Sequence, residues 1–184
     1  MDQAPPGELP ASNALLVVCN LDAVPTEIEA YRPSHMISCI NAAMMPATPP
    51  SIAPEHHLKL AFNDIVVPAP GLVDPKLEHV QAIVAFAQAW DARAPLLIHC
   101  WAGLSRSAAA ALIVLAARHR DASTVQIVAT FRAATDAAKP NARMVAYADT
   151  LFTRQPSLQS ALAEQPPTRL TKFGPTYSVP DLIL

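Results

Sequence analysis

Apolar residues fall into two patterns along this chain: short unbroken runs, and longer stretches repeating at helical spacing. Ala14 to Cys19 (ALLVVC) and His35 to Ile40 (HMISCI) are short and apolar, and each predicts a buried strand. Between them, Glu27 to Tyr31 fits a turn of helix that ends at the Arg32-Pro33 step. Ala43 to Pro54 carries four prolines and predicts a loop. His57 to Phe62 (HLKLAF) alternates polar and apolar residues, the period of a half-buried strand, and Pro68 to Gly71 then breaks the chain.

Asp74-Pro75 predicts a helix start, with Asp74 as the cap and Pro75 where no amide hydrogen is needed. Leu77, Val80, Val84 and Ala87 follow at helical spacing, and Ile83, Phe86 and Trp90 widen the stripe. Leu96 to Ile98 reads as a buried strand. Ser105 to Arg118, Thr124 to Ala134 and Ala142 to Phe152 read as helices, the last opened by Pro140-Asn141. Strands alternating with helices predict an α/β fold, with a central, mostly parallel sheet of four to five strands flanked by helices. The expected organisation is an N-terminal arm (1–13), one domain (14–155) and a proline-rich C-terminal extension (156–184). In the extension, Ser157 to Glu164 is the best helical stretch, and Leu170, Phe173, Tyr177, Val179 and Leu182 offer anchors for packing.

Composition then narrows the possible functions. Of 184 residues 52 % are hydrophobic and 15 % charged, with a net charge of −2. A sizeable core can form, and a disordered polyelectrolyte is excluded. Nucleic acid is disfavoured as a partner for want of a clustered basic surplus, so an anionic ligand needs a local site. The longest purely apolar run, Ala108 to Ala117, falls far short of the roughly 20 residues of a membrane helix. The opening MDQAPPGELP lacks the basic and apolar regions of a signal peptide. Three scattered cysteines (Cys19, Cys39, Cys100) make no disulfide framework. The expectation is a cytoplasmic protein engaging neither membrane nor nucleic acid. With four glycines against nineteen prolines, each glycine draws attention to a backbone need, Gly103 and Gly174 among them.

The most informative stretch is Leu96 to Ala109, LLIHCWAGLSRSAA. A buried strand delivers His99 and Cys100, five residues follow, and Arg106 and Ser107 open a long helix. Each piece has a task if the ligand is a phosphate. The loop Trp101, Ala102, Gly103, Leu104, Ser105 can wrap a tetrahedral dianion with its backbone N–H groups, and Gly103 lets the backbone turn. The helix start adds its positive end, and Arg106 a planar fork matched to two phosphate oxygens. Such surroundings favour a reactive thiolate at Cys100, placed for in-line attack on phosphorus, and Ser107 can hydrogen-bond the sulfur as it leaves.

HCWAGLSRS resembles the HC-x5-R-[ST] signature of the cysteine-dependent protein tyrosine phosphatases, and within them the dual-specificity group with its A-G-x-S-R-S. Short bacterial tyrosine phosphatase-like proteins look similar over roughly residues 14 to 153. The resemblance implies a phosphocysteine mechanism without a cofactor, acting on a phosphorylated protein or a small phosphomonoester. It also implies an aspartate general acid on a loop after the strand that precedes the helix leading to the cysteine. Asp64, directly after HLKLAF, is the first candidate, and Asp74 the other. The resemblance gives His99 an orienting role behind Cys100. It also allows Cys39 to form a reversible disulfide with Cys100, although a small buried strand residue is the simpler reading. With no basic residue among positions 101 to 105, a singly phosphorylated substrate is expected, phosphotyrosine foremost, with phosphoserine or phosphothreonine as further candidates.

Other signals are weaker. His35, His56, His57 and His79 lack the short regular spacing of a zinc site and read as strand-end or surface residues. Trp101 is expected to pack beneath its loop, and Asn141 to cap a helix. Two further readings remain: a phosphate-binding pseudophosphatase, and another C-x5-R chemistry such as sulfur transfer or arsenate reduction, which Ser107 and an upstream aspartate disfavour.

Overall fold

A computed structural model describes residues 15–181 and 183. The arm 1–13, Ala14 and Leu182 lie outside the described residues. The elements run β1 (Leu15–Cys19), α1 (Val24–Tyr31), β2 (His35–Ile40), β3 (His57–Ala61), α2 (Leu77–Ala89), β4 (Leu96–His99), α3 (Arg106–Arg118), α4 (Thr124–Ala134), α5 (Ala142–Phe152), α6 (Leu158–Glu164) and β5 (Tyr177–Pro180). The expected α/β architecture is present, with a five-stranded sheet ordered β3-β2-β4-β1-β5. Its first four strands are parallel and β5 is antiparallel to β1.

The strands bury both faces. Leu16, Val18, Ile37, Cys39, Leu96 and Ile98 point to the side carrying α2, α3, α4 and α5. Val17, Cys19, Met36 and Leu97 point to the side covered by α1 and Ile52. This two-sided burial is why β1 and β2 read as continuous apolar runs rather than as alternating ones. Helix α3 is buried along Arg106 to Ala117, apolar all round because neighbours enclose it. No helix among the described residues is long and apolar enough to cross a membrane.

Two expectations, the start of α2 and the anchoring role of Leu170, are corrected here. Helix α2 starts at Leu77, not at Asp74-Pro75: Lys76 is the N-cap residue and its N–H donates to His79 Nδ1 at 3.1 Å. Asp74 instead forms a 2.8 Å ion pair with Arg143 of α5. The proline-rich C-terminal segment supplies α6 and then returns to complete the sheet. Val18 pairs with Tyr177 and Leu16 with Val179, and both partners from the segment are buried. Leu170, expected as an anchor, is 94 % exposed. Asp181 fixes the end of the segment, accepting from Arg118 Nε at 2.6 Å and His119 Nε2 at 2.9 Å.

Candidate active site

In an open parallel sheet, the ends of central strands diverge into a crevice where a ligand can sit. β4 lies between β2 and β1, and Cys100 follows directly on its C-terminal end. Cys100 is buried, and its Sγ lies 3.1 Å from Ser107 Oγ in the first turn of α3.

The loop between them is anchored by its carbonyls. Trp101 O accepts from Leu21 N (3.1 Å), Ala102 O from Gly174 N (2.8 Å), Leu104 O from Lys139 N (2.8 Å) and Ser105 O from Asn141 N (3.2 Å). In a trans peptide, the carbonyl and the following N–H point in opposite directions. Four carbonyls tied to the surrounding scaffold therefore turn the N–H groups of Ala102, Gly103, Ser105 and Arg106 away from it, towards the hollow of the loop. That is the concave cluster of donors an oxyanion requires. Gly103 has φ 74, and a Cβ there would lie 2.9 Å from Asn20 N, so only glycine lets the loop seat on the end of β1. Gly174 packs against the far side, where a Cβ would meet Leu104 Cδ2 at 2.8 Å.

Arg106 is 5 % exposed. One guanidinium nitrogen donates to Phe62 O at 2.9 Å, which aims the fork, while Nε has no hydrogen-bond partner. A buried guanidinium with an unsatisfied donor is costly unless an anion meets it. Asp64, at the start of the loop after β3, has its Oδ2 3.9 Å from Arg106 Nε. Its Oδ1 accepts from Ser105 Oγ at 2.7 Å and Asn141 Nδ2 at 2.8 Å. The two ends of this loop are closed by Asn63 and Val73, which exchange hydrogen bonds of 2.7 and 2.9 Å. Arg143 pins it to α5 through Val66 O, Pro75 O and Asp74. Asp64 thus stands with Ser105 and Arg106, while the carboxylate of Asp74 is engaged by Arg143. Asn141, read from the sequence as a cap alone, has a second contact in Asp64; the Pro-Asn pair was the available signal.

His99 lies behind Cys100 in a buried chain of hydrogen bonds. Its Nε2 is 2.6 Å from Ser38 Oγ, Ser38 Oγ is 2.7 Å from His57 Nε2, and His57 Nδ1 is 2.9 Å from Thr48 Oγ1. On its other side His99 Nδ1 faces the Cys100 carbonyl at 3.4 Å. A carbonyl can only accept, so neutral His99 carries its proton on Nδ1 and takes a hydrogen bond from Ser38. Ser38 in turn accepts from His57 Nε2, and Thr48 donates to His57 Nδ1. Burial lowers both imidazoles to a pKa of about 4, which keeps the chain neutral and singly directed near pH 7. Sequence reasoning missed Ser38, His57 and Thr48; a serine inside an apolar strand was the clue, because a buried hydroxyl needs a partner.

Trp101 does not pack beneath the loop as expected. It is 52 % exposed and meets Phe173 edge-to-face at 5.6 Å, so the C-terminal segment holds it outward. Cys39 and Cys100 are both free thiols in the core cluster on the α3 side, and burial pushes Cys39 well above the ordinary thiol range. Cys19 faces the opposite side of the sheet. The remaining histidines have ring partners: His35 stacks on His56 at 4.0 Å and His79 on Phe62 at 4.8 Å.

Solved structures share this fold. Human DUSP28 superposes with a TM-score of 0.56 at 20 % identity, covering 82 % of this chain and 99 % of its own. A mouse putative dual specificity phosphatase, complexed with zinc tungstate, gives 0.56 at 22 % identity and covers 88 % and 96 %. The PTP-2 phosphatase of Cydia pomonella gives 0.53 at 17 %, covering 72 % and 83 %. No family model and no curated sequence matches the chain. The chain has the dual-specificity phosphatase fold.

Proposed function

We propose that this chain hydrolyses phosphomonoesters through a phosphocysteine intermediate on Cys100, with phosphotyrosine in proteins as the favoured substrate and phosphoserine and phosphothreonine as further ones. The carrying observation is the buried Arg106 guanidinium, its Nε without a hydrogen-bond partner, on the turn of helix that sets Ser107 Oγ 3.1 Å from Cys100 Sγ. The loop N–H groups and Arg106 hold the phosphate, stabilising the charge on its oxygens as the bond order changes. The Cys100 thiolate attacks phosphorus; a P–S bond forms and the P–O bond to the leaving group breaks. Asp64 gives the departing oxygen its proton. Oδ1 is already occupied by Ser105 and Asn141, so Oδ2, on the Arg106 side, is the atom suited to carry it. In the second step Asp64 takes a proton from water, whose oxygen attacks phosphorus; the P–S bond breaks and inorganic phosphate leaves. The Ser107 hydroxyl donates to the sulfur as negative charge returns to it.

The absence of any basic side chain from Trp101 to Ser105 supports a substrate with a single phosphate. Hydrolysis of p-nitrophenyl phosphate in EDTA tests this reading. Turnover is expected in the wild type, abolished in Cys100→Ser and reduced in Asp64→Asn. No turnover from mildly acidic to neutral pH would leave phosphate binding without catalysis as the better account.

A further inference from the structure

Two glycines meet across the wall of the phosphate loop. Gly103 seats on the end of β1, and Gly174 packs against its outer side, where a Cβ would come within 3.3 Å of Gly103 O. Gly174 belongs to the segment between α6 and β5, and its N–H donates to Ala102 O at 2.8 Å. Asn20 closes the stack: its Nδ2 donates to Gly174 O at 3.2 Å, and its Oδ1 accepts from Ala23 N at 3.0 Å. Thr176 Oγ1 then donates to Glu27 Oε1 of α1, and Tyr177 enters β5 beside Val18. Residues 173–177 therefore clasp the loop from outside and join it to β1 and α1.

The Ala102-Gly103 peptide is the part of the loop that this clasp controls. Its carbonyl is held outward by Gly174, so its N–H, on Gly103, points into the hollow. Glycine at 103 also makes this the loop peptide that turns over most readily, since no Cβ restrains φ. The holding contacts are peripheral. β5 is a four-residue strand at the edge of the sheet, Phe173 is 41 % exposed, and Thr171, Lys172 and Pro175 are exposed. Segments with few buried contacts open locally at less cost than the core.

We propose that docking of residues 173–177 and binding of phosphate in the loop are coupled, which makes the C-terminal segment a strap that sets the affinity of the site. With the strap docked, the Gly103 N–H faces the position of a phosphate oxygen. With it lifted, Ala102 O loses its donor and the peptide is free to turn over. Coupling is reciprocal, so bound phosphate holds the strap down by the same factor by which the strap tightens phosphate. Lifting the strap thus weakens the site without touching Cys100 or Arg106. The inference rests on the phosphate site of the reading above and adds its control.

Hydrogen exchange of the full chain, read by mass spectrometry with and without saturating inorganic phosphate, tests the coupling. The stretch 174–180 is expected to exchange about fivefold more slowly with phosphate bound, a factor at the low end for linked sites, while α6 does not change. Thr176→Val removes the bond to Glu27 without touching the loop and is expected to weaken phosphate binding, measured by calorimetry, about fivefold. Thr176→Ser restores it. Phe173→Ala frees the strap from Trp101 and weakens binding in the same direction, which keeps the test open should Thr176→Val fail to fold. Strap exchange that ignores phosphate, or slows no more than that of α6, would overturn the coupling. So would wild-type phosphate affinity in both variants. In either case binding of phosphate leaves the phosphatase reading standing without the strap. If phosphate does not bind, the coupling falls; if p-nitrophenyl phosphate is also not turned over, the phosphatase reading falls with it.

Discussion

Asn141 Nδ2 donates to Asp64 Oδ1 at 2.8 Å while Asn141 Oδ1 accepts from the N–H groups of Arg143 and Met144 at 3.1 and 3.2 Å. One amide caps α5 and holds the candidate acid, bridging residues 77 positions apart in the chain. Removing it in Asn141→Ala should lower stability by about 1 kcal/mol, the usual cost of a lost cap. It should also slow hydrolysis of a phosphotyrosine peptide more than that of p-nitrophenyl phosphate, whose leaving group needs little protonation. Asn141→Asp separates the two roles, because aspartate caps equally well but sets a like charge against Asp64. It is expected to keep its melting temperature and lose rate; a full rate on the peptide would contradict the bridging role.

Ser107 is expected to act in the second step. Hydrogen bonds to charged groups contribute about 1.5–3 kcal/mol, so Ser107→Ala should slow breakdown of the phosphoenzyme roughly ten- to a hundredfold. Rapid-mixing kinetics with p-nitrophenyl phosphate would then show a burst of p-nitrophenol. An unchanged kcat without a burst would remove Ser107 from the mechanism.

The His99–Ser38–His57 chain gives stability a pH dependence of definite sign. Both imidazoles fall from an ordinary 6.5 to about 4 in the folded protein. Between those values the unfolded chain binds more protons, so stability rises with pH across that window and is lost as pH falls towards 4. Thermal melts should give a lower Tm at pH 5 than at pH 7, with each kcal/mol worth about 2–4 °C at this chain length. His57→Gln should flatten that slope, and an unaltered slope would show that His57 contributes nothing to it.

How far the sequence reveals these features depends on how local each one is. The strand, the Cys100–Ser107 loop and α3 are contiguous, so spacing alone sets Cys100, Arg106 and Ser107 out as one candidate site. Asp64 stood out as a candidate because it follows a half-buried strand directly, on the loop where the resemblance implies an acid. The outward stance of Trp101 did not, since it depends on Phe173, brought back by a segment that reads as a proline-rich tail. β5 is similarly obscure: Tyr177 to Pro180 is four residues long and ends in proline, and it becomes a strand only because the edge of β1 is free to pair. Asp74 shows the opposite failure. Its capping signal was sound locally, but Arg143 from α5 claims the carboxylate.

Gly103 should tolerate no side chain. Alanine there would hold a left-handed conformation, costing about 1–2 kcal/mol, and would press its Cβ to 2.9 Å from Asn20 N and Cys19 C. Gly103→Ala should therefore lose phosphate affinity measured by calorimetry as well as stability measured by melting. Retention of wild-type phosphate affinity would mean that the loop does not need this turn to shape its donors.

The most direct test of covalent catalysis at Cys100 is to quench the protein with acid during turnover of p-nitrophenyl phosphate and measure its intact mass, using Ser107→Ala to slow the second step. The account requires one added phosphoryl group, located on Cys100 by peptide mapping and missing from Cys100→Ser. Sustained turnover in the Cys100→Ser variant, or a phosphoryl group on any other residue, would contradict it.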